Sequence, residues 1–137
     1  MALFQCLTDS FKLQSWQAVH DLTTDTLKFA LYTSNASLGT DTTVYTTTGE
    51  TSGSGYTAGG VVLTGVTLTM ASNVAYLTFN NPSWSGSFVT RGALIYNASK
   101  GNKSIAVLDF GADKTASGTF VITMPTAGPT TALIRFE

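Results

Sequence analysis

The 137-residue chain holds one histidine and one cysteine, and only 11% of its residues are charged. Each shortage excludes a class of function. Metal centres of the usual His/Cys kind lack ligands, and the acids do not cluster as calcium loops require, so no metal site and no cofactor are expected. Cys6 cannot close an internal disulfide and, among Leu3, Phe4 and Leu7, reads as a small apolar packing residue. Seven Lys and Arg stand against eight Asp and Glu for a net charge of −1, and the cations are scattered from Lys12 to Arg135. Phosphate binding needs a clustered basic patch, so nucleic acid is not an expected partner. Lys100 and Lys103, around Gly101, read as a solvated hairpin tip. No apolar run approaches the ~18 residues of a membrane span, and the start MALFQCLTDSF lacks the basic and apolar regions of a signal peptide. No membrane partner is expected, and synthesis is expected in the cytoplasm.

What replaces the missing charge is threonine, serine, asparagine and glycine beside 43% hydrophobic residues. Threonine is β-branched and suits strands. Asp9 or Ser10 is placed to cap a short helix to about His20, with Phe4, Leu7 and Phe11, then Ser15, Val19 and Leu22, at helical spacing. From Thr26 the period changes: Leu27, Phe29 and Leu31 alternate with Lys28, Ala30 and Tyr32, as in a strand. In VVLTGVTLTM the alternation predicts a buried face of Val62, Val66, Leu68 and Met70, followed by a turn at Ala71-Ser72-Asn73. NVAYLTF, FVTRGALIYN, SIAVLDF, GTFVITM and TALIRFE follow as strands, divided by Asn-Pro, Lys-Gly-Asn, Gly-Ala-Asp and Ala-Gly-Pro signals. The expected fold is mainly β, an antiparallel β-sandwich or jelly-roll-like barrel of about 7–8 strands with one short N-terminal helix. Residues 1–137 read as a single β domain: a helical docking segment over 1–24, then a β-body over 25–137. The loop 35–60 is long for a compact domain and is expected to fold over the sheet or meet a partner.

A search for chemistry assigns no catalytic residue. His20 stands alone at the end of the expected helix, where a structural role is favoured. No serine sits in a Gly-x-Ser-x-Gly elbow. Gly53, Gly55, Gly59 and Gly60 are spaced as a turn motif, without the Lys-Ser/Thr of a phosphate loop. Glu50 is the only charge between Thr42 and Val62, too few for an acid and a base together. Asp109 and Asp113, around Gly111, read as turn residues, and Arg91 is expected to find a carbonyl or carboxylate partner such as Asp109. Tyr76, Phe79 and Phe88 fall in strand patterns and read as core. Trp84, after Asn80-Asn81-Pro82-Ser83, reads as an exposed loop aromatic, and Trp16 as a staple to the sheet or to another subunit. The sequons at Asn35, Asn97 and Asn102 are expected by chance in so Asn-, Ser- and Thr-rich a chain.

DTLKFALYTSNASLGTDTTVYTTTGETSGSGYTAGG, RGALIYNASKGNKSIAVLDFG and GTFVITMP together span most of the chain. Their distinctive parts are Ala30-Leu31-Tyr32-Thr33-Ser34, Gly55-Tyr56-Thr57-Ala58-Gly59-Gly60 and Arg91-Gly92-Ala93-Leu94-Ile95-Tyr96-Asn97. The chain resembles, in these segments, a group of small virion proteins encoded among the structural genes of tailed bacteriophages, some of them similar to capsid decoration or cement proteins. The resemblance implies a place on the capsid surface of the virion, no enzymatic activity, the major capsid protein as partner, and self-association as a homotrimer or, second, a homodimer. Phe4, Leu7, Phe11 and Trp16, or Tyr45 and Tyr56 of the long loop, are the candidate shell or subunit contacts. Removal of residues 1–16 is then expected to abolish docking and leave a folded core. The alternatives are a tail, neck or fibre component, and a host-glycan-binding module suggested by exposed tryptophans and amide-rich loops, with Trp84 as the residue to test.

Overall fold

Thr8, fully buried, accepts the Phe11 N–H at 3.4 Å and so caps the helix Asp9–Trp16 (α1), one position ahead of the expected cap. The helix stops at Trp16, short of His20, because the chain turns at Ala18, whose φ is +60°. The computed structural model describes residues 3–126, 128 and 130–136. Over these the protein is mainly β, with its strands in two antiparallel sheets and one α-helix.

The larger sheet holds Cys6–Leu7 (β1), Leu27–Tyr32 (β2), Val61–Val62 (β3), Ser83–Asn97 (β6) and Lys103–Val121 (β7), in the order β1-β7-β6-β2-β3. The smaller holds Thr67–Ala71 (β4), Val74–Thr78 (β5) and Ile134–Phe136 (β8), in the order β4-β5-β8. The alternation in β2 sorts it between two apolar clusters. Leu27, Phe29 and Leu31 face a core shared with Ala93 and Ile95 of β6, Leu77 of β5, Ile134 of β8 and Phe11 of α1. Ala30 and Tyr32 face the other way, onto Leu94, Tyr96 and Val107 and onto Ala36 and Leu38 of the long loop. The loop thus folds over the back of the larger sheet. That is why β2 and the second half of β6 are buried on both faces. Each large side chain so buried contributes roughly 1.5–3 kcal/mol of transfer free energy.

Several sequence expectations are corrected. VVLTGVTLTM is not one strand with a buried face: it divides near Gly65, whose φ is +66°, and its halves join different sheets. Leu68 and Met70 are 44% and 69% exposed, because β4 is an edge strand that overhangs the core. Nor does Gly111-Ala112-Asp113 separate two strands. β7 runs through it, and the register with β6 jumps between Thr90 and Gly92, so the extra residues form a bulge opposite Arg91. Trp84 lies on β6, not in a loop, and its alternation with Ser83 and Ser85 turns it inward.

Residues 4–9 are woven into the same body. β1 pairs with β7, Phe4 N–H reaches the Leu38 carbonyl at 2.9 Å, and Asp9 N–H reaches the Thr40 carbonyl at 2.8 Å. At the same end of α1, the Thr8 hydroxyl meets Ser104 Oγ at 2.9 Å, and Ser104 donates to the Thr42 carbonyl at 2.7 Å.

Candidate functional site

Glu50, alone as a charge in its neutral stretch, is the point where the long loop is fastened. Tyr45 Oη donates to its Oε1 at 2.6 Å, while Tyr56 Oη at 2.5 Å and the Gly59 N–H at 2.8 Å both donate to Oε2. Tyr56 Oη in turn accepts the Leu31 N–H of β2 at 2.9 Å. Tyr96 of β6 donates to the Gly59 carbonyl at 2.7 Å and stacks on Tyr45, with centroids 4.8 Å apart. Tyr32 donates to the Thr46 carbonyl at 2.6 Å. Hydrogen bonds to an ionised group are worth roughly 1.5–3 kcal/mol each, so this carboxylate holds the loop closed on itself, and Tyr56 on Leu31, Tyr96 on Gly59 and Tyr32 on Thr46 fasten the closed loop to the sheet.

Burial, reinforced by the charge of Glu50, raises the phenols of Tyr32, Tyr45 and Tyr56 above their ordinary range, and pushes Tyr96 up to about 12. All four therefore remain protonated donors at neutral pH. With Tyr45, Tyr56 and Gly59 all donating to it, the Glu50 carboxylate is committed to holding the loop.

A second polar cluster lies where α1 meets the β6–β7 turn. His20 Nε2 stands 2.9 Å from Gln14 Oε1, and Nδ1 stands 3.0 Å from Asn97 Nδ2. An amide oxygen only accepts and an amide nitrogen only donates, which assigns the proton to Nε2. Asn97, fully buried, gives its other N–H to Asp25 Oδ2 at 2.7 Å and accepts the Ser99 N–H at 3.0 Å. Its amide is fully used, so the Asn97 sequon has no free nitrogen for modification. Lys100 Nζ closes the network on Asp25 Oδ1 at 3.4 Å, more than the solvated tip expected of it. Burial lowers the His20 pKa, outweighing the opposing pull of Asp25. Burial also works to raise Asp25, but the hydrogen bonds from Asn97, the Asp21 N–H and Lys100 outweigh it and leave that carboxyl lowered.

The signs give a pH prediction. His20 binds its proton less readily folded than unfolded, so its contribution to stability is complete above the unfolded value of about 6.5 and is lost as pH falls below it. Asp25 acts in a separate window, its contribution being lost only as pH falls below about 3.9. Thermal melts are expected to fall between pH 7 and pH 5 in the native chain and to fall less in His20→Gln, where no imidazole titrates. Parallel declines in the two proteins would remove His20 from the account.

The remaining sequence candidates scatter. Arg91 Nε meets Asp109 Oδ1 at 3.4 Å, the partner expected, and its Nη1 lies 4.0 Å from Asp113. Trp16 is 93% and Phe4 62% exposed, both available at the surface. Phe11, by contrast, is 1% exposed, and Leu7 packs half-buried against the core. Tyr45 and Tyr56 are half-buried and committed to Glu50. Trp84 is 6% exposed, packed between Phe29 and Phe120, and so is not an exposed aromatic. Among the described residues no group of His, Cys, Asp or Glu is placed to hold a metal ion. A cleft of about 280 Å3 opens between the end of α1 and the smaller sheet, walled by Phe11, Leu22, Leu68, Leu77 and Ile134 with Tyr76 and His20. No residue pattern announced this cleft, because its walls come from four distant segments. Comparison with family models, with curated proteins and with solved structures gave no match.

Proposed function

We propose that the chain is a structural protein of a tailed-bacteriophage virion, a non-enzymatic decoration protein that binds the outer shell through the major capsid protein and reinforces it. One observation carries this reading. The segments in which the chain resembles that group of virion proteins, 30–34, 55–60 and 91–97, converge in space: Tyr56 bonds Leu31, Tyr96 bonds Gly59, and Thr90 beside Arg91 bonds the Tyr32 carbonyl at 3.0 Å. The shared residues therefore build a frame, which supports a structural role. A decoration protein needs such a body, with its loops tied down against proteolysis, together with apolar surface to dock. Trp16 and Leu13, three residues apart on α1 and 93% and 62% exposed, supply the latter. A tail, neck or fibre role uses the same body in fewer copies. The glycan-binding alternative loses Trp84, which is buried, and keeps the exposed Trp16 and the amide-rich loops.

Quantitative mass spectrometry of purified particles tests the proposal. A ratio to the major shell protein of one, or a simple fraction of one, is expected. A handful of copies per particle would move the chain to the neck or tail, and its absence from particles would overturn the virion reading. Trp16→Ala, which touches no core, is expected to lower occupancy on the shell without altering the fold.

A further inference from the structure

Among the described residues β4 has one neighbour, β5, and its other side is open. The turn between them, Ser72-Asn73, has φ of +50° and +66°, the type I′ geometry of a two-residue hairpin. In such a hairpin the flanking pair, Ala71 and Val74, exchanges both hydrogen bonds, and so does every second pair after it, here Thr69 with Tyr76. The N–H and C=O groups of Leu68 and Met70 consequently point away from β5. Among the described residues no backbone bond from another segment reaches them. None of the usual protections of an edge is present: Thr67-Leu68-Thr69-Met70-Ala71 has no charge, no proline and no bulge, and Leu68 and Met70 are 44% and 69% exposed.

We infer that β4 is a self-association edge, on which a second copy of this chain pairs its own β4 antiparallel about a twofold axis through Thr69. The occupant is argued from self-complementarity. Pairing about Thr69 sets the outward groups of Leu68 against those of the partner's Met70, and the reverse, forming about four backbone hydrogen bonds. On one face Leu68 and Met70 join the partner's Met70 and Leu68 in one apolar patch. On the other, Thr69 meets the partner's Thr69. No charge opposes its like, and none selects a partner of different composition. The two small sheets merge into one, and neither copy keeps an open edge on that side. Leu68 is also a wall of the apolar cleft beside α1, and the partner's Met70, a flexible side chain suited to irregular gaps, falls next to it on the same face. A pair of this kind, and not a trimer, is what a self-complementary edge favours. The inference stands on hairpin geometry and is independent of the virion reading.

Sedimentation of the full chain at tens of micromolar is expected to give twice the 14.4 kDa chain mass. Met70→Lys, which puts a charge on the edge without touching the core, is expected to give the monomer mass with an unchanged circular dichroism spectrum. Thr69→Cys in a Cys6→Ser background is expected to form a disulfide-linked dimer on mild oxidation, because facing non-hydrogen-bonded positions lie close enough for a bridge, whereas Thr67→Cys is not. A monomeric native chain would overturn the inference. So would a trimer or dimer that survives Met70→Lys together with failure of Thr69→Cys to cross-link.

Discussion

A chain lacking residues 1–16 is expected not to fold, although the same truncation reads from sequence as the removal of a detachable docking arm. Phe11, 1% exposed, contributes to the core shared by both sheets and lies against the His20 ring, with centroids 5.1 Å apart. Losing one such phenylalanine costs roughly 3–5 kcal/mol. The truncation also removes the Thr8 N–H bond to the Ile105 carbonyl at 3.0 Å and strips β1 from β7, leaving the buried stretch around Val107 as a raw edge. Set against a typical domain stability of about 5–15 kcal/mol, these losses remove most or all of the margin. Loss of near-ultraviolet dichroism and of a cooperative thermal transition is the expected outcome, with Trp16→Ala as a control that stays within about 0.5 kcal/mol. A truncated chain that melts cooperatively near the native temperature would show the N-terminal segment to be an appendage after all. Any loss of shell binding on truncation is therefore uninformative about docking, and Trp16→Ala is the variant to use for that purpose.

The β class was legible because alternation is local: Leu27, Phe29 and Leu31 announce a strand without reference to anything distant. That Ala30 and Tyr32 are buried as well was not legible, since the cover is a loop of neutral residues with no period of its own. Trp84 was misread for a related reason. Asn81-Pro82-Ser83 carries a turn signal, and it hid the two-residue step from Trp84 through Gly86 to Phe88 that places both rings on the core face. Gly111 was read as a boundary because sequence does not tell a turn from a bulge: both want a residue at positive φ, here +83°, and only the partner strand decides. Glu50 was visible as a lone charge, but its donors, Tyr45, Tyr56 and the Gly59 N–H, gather round it only once the loop has closed. Asn97 is the same case in reverse, since an amide at a strand end looks like turn chemistry until His20 and Asp25 arrive from far along the chain. Arg91 and Asp109 were paired correctly because a half-buried guanidinium needs a carboxylate and few stood near.

Gly60→Ala is expected to be among the most destabilising single substitutions in the chain, and its comparison with Gly111→Ala separates two costs that are usually confounded. Both glycines have positive φ, +79° and +83°, so both substitutions incur the left-handed penalty of roughly 1–2 kcal/mol. Among the described residues a Cβ on Gly111 meets nothing within 4 Å, whereas one on Gly60 would lie 1.9 Å from the Phe29 carbonyl oxygen and 2.6 Å from its carbon. Phe29 is fully buried in the middle of β2, so the strand has no room to yield; the loop must lift instead. Lifting it carries away the Gly59 N–H from Glu50 and the Gly59 carbonyl from Tyr96, leaving a carboxylate and a phenol short of partners. The expected loss exceeds about 4 kcal/mol for Gly60→Ala against about 1 kcal/mol for Gly111→Ala, read from denaturant midpoints at equal slope. Equal losses at the two positions would mean that the loop rides over β2 without touching it, and that Glu50 holds the tyrosines together without holding them to the sheet.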